Sequence, residues 1–226
     1  MKQRISLIVP VLNEAEGIAA TLGELAALRA EGAELIVVDG GSSDATLNRC
    51  QGQADRILIA PRGRARQMNR GAAGAAGSVL LFVHADTRLP PGAGALVLQA
   101  LESGRHDWGR FDVVIEGRSK LFPLIAALMN WRSRMSGIAT GDQAIFVRRK
   151  VFDALGGFAD QPLMEDIELC KSLRRRGPPA CIRQRVVTSG RRWERCGVWR
   201  TIFLMWRLRF LYWLGVSPQQ LAKAYR

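Results

Sequence analysis

Four short apolar runs set most of what this chain can become. They are Ile5 to Val11, Glu34 to Asp39, Arg56 to Ala60 and Ser78 to Val83. Runs of this length, apolar at consecutive positions, suit strands covered on both faces. Between the first two, Ile18, Leu22, Leu25 and Leu28 repeat at the spacing of one helix face. Asn13, with Glu16 three residues on, predicts a capping box at the start of that helix. Ser42 or Ser43 is predicted to cap the next helix, and a further helix is predicted over Arg64 to Ala73. Strand and helix alternating in this way predict an α/β fold with a mostly parallel central sheet flanked by helices.

The second half is less regular. Trp108–Ile115 and Asp142–Val147 read as strands. Leu121–Met135, Lys150–Leu155 and Glu165–Arg175 read as helices, and Ser217-Pro218 opens a last one. With no internal repeat and no long linker, residues 1–226 are expected to form one domain, a size sufficient for a sizeable core.

Charge is uneven along the chain. Residues 1–100 carry 10 basic and 9 acidic residues, whereas 101–226 carry 23 and 11, within a formal net charge of +13. A basic second half suggests an anionic partner. Nucleic acid is not the expected one, because aromatics are not interleaved along a sheet face and no DNA-binding motif appears. The four cysteines, Cys50, Cys170, Cys181 and Cys196, are scattered without metal-ligand spacing, which argues for a reduced, cytoplasmic setting. The start of the chain does not read as a signal peptide, and no stretch suits a membrane span.

Ligands of open α/β sheets bind beyond the carboxyl ends of the strands. Asp39 ends the second run and Asp86 follows the fourth, so both belong to one edge of one sheet, although each is also an ordinary turn residue. His84 and Asp86 are candidate ligands for a divalent cation serving phosphates; with His106 the only other histidine, a His-rich zinc site is excluded. Arg62, Arg64, Arg66 and Arg70 around Gly63 suit phosphate, or a solvated helix face. Glu165 and Asp166 are adjacent carboxylates at a predicted helix start. Neighbouring helix positions point about 100° apart, so a single general base fits better than a shared task. Between Val198 and Leu214, Trp199, Ile202, Phe203, Trp206, Phe210 and Trp213 form an aromatic stripe beside Arg200, Arg207 and Arg209. Such a stripe fits a peripheral position on the cytoplasmic face of an anionic membrane, or a helix packed on the core.

Assembled in order, these segments resemble the inverting family 2 glycosyltransferases of the GT-A fold. The resemblance rests on Val9-Pro-Val-Leu-Asn-Glu14, Val38-Asp-Gly-Gly-Ser-Ser-Asp-Ala-Thr46, Ala65-Arg-Gln-Met-Asn-Arg-Gly71 with Leu81-Phe-Val-His-Ala-Asp86, Thr140-Gly-Asp-Gln143 and Met164-Glu-Asp-Ile167. The combination of His-Ala-Asp-Thr, Arg-Gln-Met-Asn and Arg191-Arg-Trp193 is similar to a small bacterial subfamily of transferases associated with radical-SAM and selenoprotein-related domains.

The resemblance implies transfer of a sugar from a nucleoside-diphosphate sugar to an acceptor hydroxyl, with inversion and with Mn²⁺ or Mg²⁺. It implies a nucleotide-sugar-binding half over 1–90, an acceptor and catalytic half over 91–197, and amphipathic C-terminal helices over 198–226. Asp166 would be the catalytic base, beside Glu165. Pro10, Glu14, Asp39, Arg62, Arg66, Asn69, Asp86 and Arg191 would face the donor, and Gly141, Asp142 and Trp193 the acceptor. Asp86, with His84, would hold the metal. The chain has Asp39-Gly40 where the family commonly has paired carboxylates, and His84-Ala-Asp86 where Asp-x-Asp is usual. The acceptor, small and cytoplasmic or lipid-linked, and the oligomeric state are not specified. The competing readings are a nucleotidyltransferase, and a non-catalytic binder of anionic membranes with a degenerate site.

Overall fold

The computed structural model describes residues 4–225. Residues 1–3 and 226, included in the expected single domain, lie outside the described residues. Eight strands form one sheet: β1 (Ile5–Val11), β2 (Glu34–Asp39), β3 (Arg56–Ile59), β4 (Val79–Phe82), β5 (Thr87–Arg88), β6 (Trp108–Glu116), β7 (Phe146–Arg148) and β8 (Ala180–Ser189), in the order β3-β2-β1-β4-β7-β6-β8-β5. The helices are α1 (Ile18–Ala30), α2 (Thr46–Cys50), α3 (Arg64–Gly74), α4 (Ala93–Glu102), α5 (Phe122–Ser136), α6 (Arg149–Ala154), α7 (Glu165–Arg174), α8 (Arg191–Cys196), α9 (Val198–Trp213) and α10 (Pro218–Tyr225).

β1 pairs in parallel with β2 and β4, and β2 with β3. β7 is antiparallel to both β4 and β6, so β6 again runs with β4, and β8 is parallel to β6. Six strands therefore end on one edge, and the reversed β7 starts there. This reversal carries the segment before β7 to the same edge as Asp39 and Asp86.

Side chains alternate across each strand, which divides the core in two. Leu7, Val9, Leu35, Val37 and Leu81 pack under α1 and α4. Ile8, Ile36, Val38, Leu80 and Phe82 pack under α3, α6 and α7. Gly71 in α3 lies where a Cβ would meet Ile8 Cγ2 at 2.5 Å, so glycine there lets α3 sit close on β1. A smaller cluster joins α5 to Trp193, Val198 and Ile202, and another joins Met164 and Ile167 to Leu208 of α9 and Leu221 of α10.

Several sequence expectations need correction. Asn13 and Glu16 do not cap α1. The helix begins at Ile18 behind Gly17, with no side-chain cap. Likewise neither Ser42 nor Ser43 caps α2, which starts at Thr46. These polar residues bond one another across two loops instead. Asn13 N–H donates to Ser42 Oγ at 2.9 Å and Ser43 N–H to Asn13 Oδ1 at 2.8 Å. Asp142 is not in a strand: Gly141–Gln143 form a 3₁₀ turn and β7 begins at Phe146. The Gln143 amide oxygen accepts from Thr140 N–H at 3.3 Å, which rewards the turn over an extended chain. Helix α4 and strand β8 were not anticipated. In β8 the outward residues Arg183, Gln184 and Arg185 break up the apolar pattern.

Candidate active site

At the end of the β1–β2 pair, Gln67 of α3 lies against the two strands. It is buried, and its Nε2 donates to Val11 O at 2.8 Å and Val38 O at 2.9 Å. These carbonyls lie at the ends of β1 and β2, and Val11 O also accepts from Gly40 N–H at 3.0 Å, so the amide adds a second donor there. Gly40 passes directly over it, since a Cβ there would come 2.9 Å from the Gln67 amide. Pro10, expected in the nucleotide floor, is buried in β1 opposite Val38. The β1–β4 pairing has ended by then, at Ile8 and Phe82, so that flank of Pro10 needs no ladder donor.

Asp39 ends β2 and organises the loop that follows. Its Oδ2 accepts from Gly41 N–H at 2.8 Å and Ser42 N–H at 2.9 Å, and Oδ1 accepts from the Ser42 hydroxyl. The loop is stitched to the end of β1 by Asn13, and by Glu14 N–H donating to Thr46 Oγ1 at 2.8 Å. Glu14 Oε2 lies 3.2 Å from Arg191 Nη2, so the Arg191-Arg-Trp193 segment is tied to the loop that follows β1. Trp193 itself packs into the α5 cluster.

His84–Thr87 forms a turn closed by Thr87 N–H donating to His84 O at 3.0 Å. Thr21 Oγ1 pins Ala85 O at 2.6 Å. Asp86 is held at the tip of this turn, and its carboxylate has no hydrogen bond or ion pair among the described residues. A lone free carboxylate fits a hard cation whose shell is completed by diphosphate oxygens and water. His84, the other expected metal ligand, stands at the start of the same turn with its ring directed at the segment before β7. Its Nδ1 faces Asp142 Oδ1 at 3.4 Å, while Nε2 is buried against Gly141, without a partner. Among the described residues, no group of three or more His, Cys, Asp or Glu could hold a metal by itself.

Asp166 stands in the first turn of α7, entered through Met164 in the left-handed region at φ 65. Its Oδ2 accepts from Gly141 N–H at 3.0 Å and Oδ1 from Ile167 N–H at 2.7 Å. Burial first, and then the Glu165 carboxylate, push its pKa up to about 6. Glu165 is buried and paired to Arg64 Nη1 at 3.5 Å. Burial disfavours the Asp142 charge, but the His84 ring, Arg64 and Arg132 outweigh it and hold that carboxyl below its ordinary value. Burial depresses the pKa of the Arg132 guanidinium, which keeps Nε and Nη2 without hydrogen-bond partners while Asp166 and Asp142 favour its charge.

Two expected donor contacts are committed elsewhere. Asn69 clamps the Gly157–Phe158 turn, donating to Phe158 O at 2.8 Å and accepting from Phe158 N–H at 2.9 Å. Arg66 pairs with Asp160 at 2.8 Å, both exposed. Arg62 is exposed on the loop before α3. Gln67 and Arg132 were not singled out by role from sequence, and Arg64, a phosphate candidate there, pairs with Glu165. Gln67 alone carried a usable signal, as a polar residue on the face of α3 that buries Ala65, Met68 and Ala72.

The family model "Glycosyl transferase family 2" matches residues 6–159. PGL/p-HBAD biosynthesis glycosyltransferases of Mycobacterium tuberculosis and Mycobacterium bovis are 37% identical over 91 residues, 37% of this chain. The chain spans 36% of the length of these relatives. Among solved structures, the mannosyltransferase PcManGT from Pyrobaculum calidifontis, in complex with GDP-Man and Mn²⁺, aligns with TM-score 0.62 at 20% identity, over 83% of this chain and 57% of its own. Glucosyl-3-phosphoglycerate synthase from M. tuberculosis, in complex with Mg²⁺ and UDP, aligns with TM-score 0.61 at 20% identity, over 82% and 70%. At these identities the structural likeness speaks for the fold, a GT-A-like α/β sheet.

Proposed function

The chain belongs to glycosyl transferase family 2, and on that premise we propose that it transfers a sugar from a nucleoside-diphosphate sugar to an acceptor hydroxyl with inversion, using Asp166 as the single base. The observation that carries this reading is the meeting of Gly141 with Asp166 at 3.0 Å, on the sheet edge that also presents Asp39 and Asp86. Asp166 takes the proton of the acceptor hydroxyl. The hydroxyl oxygen bonds to the anomeric carbon from the face opposite the leaving group, and the bond from that carbon to the diphosphate oxygen breaks with its electron pair going to the diphosphate. A base with pKa near the working pH suits this step, and burial beside Glu165 moves Asp166 in that direction. Glu165, tied to Arg64, positions and tunes the base rather than sharing its task.

On the donor side, the Asp39 loop and the end of β1 form the nucleotide floor, with Arg62 and Arg191 near the phosphates. Asp86 would hold Mn²⁺ or Mg²⁺, which when bound offsets charge developing on the diphosphate. The Arg66-Gln-Met-Asn69 and Arg191-Arg-Trp193 segments support a place in the radical-SAM-associated subfamily. Residues 1–90 serve the donor and 91–197 the acceptor, in one domain.

The test is calorimetric titration with UDP, GDP, CDP and dTDP, with and without Mn²⁺. One diphosphate should bind in a metal-linked manner, and Asp86→Ala should abolish the linkage. Asp166→Asn should keep that binding and lose transfer. Release of pyrophosphate instead of a nucleoside diphosphate would move the chain to the nucleotidyltransferases. Normal transfer by Asp166→Asn would remove the base assignment.

A further inference from the structure

Helix α9 binds the domain by one face only. Thr201 and Leu208 are buried, Leu204, Met205, Leu211 and Tyr212 are partly covered, and Tyr212 Oη donates to Glu168 of α7 at 2.6 Å. On the opposite face Trp199, Phe203, Trp206, Phe210 and Trp213 follow one another at steps of three and four residues, and each is more than half exposed. The sequence left open whether these aromatics are core; the structure places them in solvent. Next to α9, through the shared Ile125, Ala126 and Ile202 cluster, α5 repeats the pattern. There Leu124, Trp131 and Met135 are more than half exposed, with Leu128 at 49%. Both stripes lie opposite the buried faces of their helices. Exposed apolar stripes of this kind mark a binding surface.

The charge around the stripes identifies the partner. Residues 117–136 contain no acidic side chain, and none occurs from Arg195 to the end of the sequence. Arg200 and Arg207 directly follow Trp199 and Trp206, and Arg209 directly precedes Phe210. One helical step is about 100°, so the arginines flank the aromatic stripe on its two sides. Aromatic rings at the centre with guanidinium groups at the borders match a bilayer interface, where rings enter the acyl boundary and cations stay at headgroup level. No described helix is long and apolar enough to cross a membrane. We propose that the α5–α9 face docks flat on an anionic phospholipid surface. Because α9 packs on Met164 and Ile167 beside the base-bearing turn of α7, docking holds the acceptor side of the site near the lipid. The docking itself does not depend on the glycosyltransferase reading.

The full chain is sedimented with vesicles of phosphatidylcholine alone, and of phosphatidylcholine with phosphatidylglycerol, without donor or acceptor, at low and high salt. The expected result is binding to anionic vesicles that weakens with salt. Arg200→Glu with Arg207→Glu should weaken it by more than about tenfold, as each basic residue at such a surface contributes roughly fivefold. Trp206→Ser with Trp213→Ser should weaken it at every salt concentration, with thermal unfolding unchanged as the control for folding. No binding of the intact chain to anionic vesicles, or equal binding by both variants, overturns the proposal. So does light scattering that shows a dimer dissociated by the tryptophan variant, because a second copy would then cover the stripe.

Discussion

Gly141 lies against the His84 imidazole so closely that a Cβ built on it would come 2.2 Å from Nε2. The same residue donates its N–H to Asp166. One glycine thus joins the end of β4, the turn before β7 and the start of α7. Gly141→Ala must displace the ring or the turn. Overpacking of this kind costs about 1–3 kcal/mol. Denaturant unfolding should register that cost, and transfer should fall by more than the stability loss alone explains. A fully active, equally stable alanine variant would show that this contact does not hold the base.

Asp166 titrates against the usual direction for an acid in a fold. Its pKa rises from 3.8 to about 6, through burial and then Glu165. Between those values the folded chain keeps a proton that the unfolded chain has released, so this group's contribution to stability is fully present below the lower value and is lost as pH rises through about 6. Asp166→Asn should remove that fall and gain on the wild type above the window, as measured by unfolding midpoints across pH. Activity should move the other way, rising as pH passes about 6 because the base must be ionised. Glu165→Gln removes the repelling charge and should shift the acid limb of kcat to lower pH; an unmoved limb would separate Glu165 from the tuning of the base.

His84 and Asp86 stand two residues apart and should behave differently. His84→Gln should keep metal-linked diphosphate binding, because Nδ1 faces Asp142 and Nε2 is buried against Gly141. Asp86→Asn should lose it. Equal loss in both variants, read by calorimetry with and without Mn²⁺, would restore His84 as a ligand.

Gln67 tests the donor-side edge independently of chemistry. Gln67→Leu removes the side-chain amide that donates to the Val11 and Val38 carbonyls, leaving Gly40 N–H on Val11 O. A lost hydrogen bond costs about 0.5–1.5 kcal/mol, so urea unfolding should shift to lower concentration, with diphosphate affinity weakened through the loosened loop. An unchanged midpoint would mean that water replaces the amide.

Strands β1, β2 and β4 were legible because each is a continuous apolar run, as burial on both faces requires; β3 has the same kind of run but forms the sheet edge, where Ile59 is 68% exposed, against the expectation of cover on both faces. Strand β8 was not legible, because its outward arginines hide the pattern. Polar residues were the hardest to assign. Asn13 and Glu16 have the spacing of a cap, yet Asn13 bonds the neighbouring loop, a partner thirty residues away in sequence. Asn69 and Arg66 sit in a motif that reads as donor-binding but reach Phe158 and Asp160, some ninety residues on. Spacing rules describe what is near along the chain, whereas a hydrogen-bond donor takes whichever acceptor the fold delivers.

The sequence by itself determined the α/β class, the strand end at Asp39, the turn carrying Asp86 after β4, and the helix start at Glu165-Asp166, since all of these follow from local apolar pattern and turn chemistry. Only the tertiary structure decided which candidates share a site. The reversed β7 carries Gly141 and Asp142 to the edge where the parallel strands end, and α7 then delivers Asp166 to Gly141 across 25 residues of chain. It also decided that the aromatics of α9 face solvent, because a helix with apolar residues on two faces can bury only one of them against a single domain. Periodicity states that such faces exist; packing chooses between them.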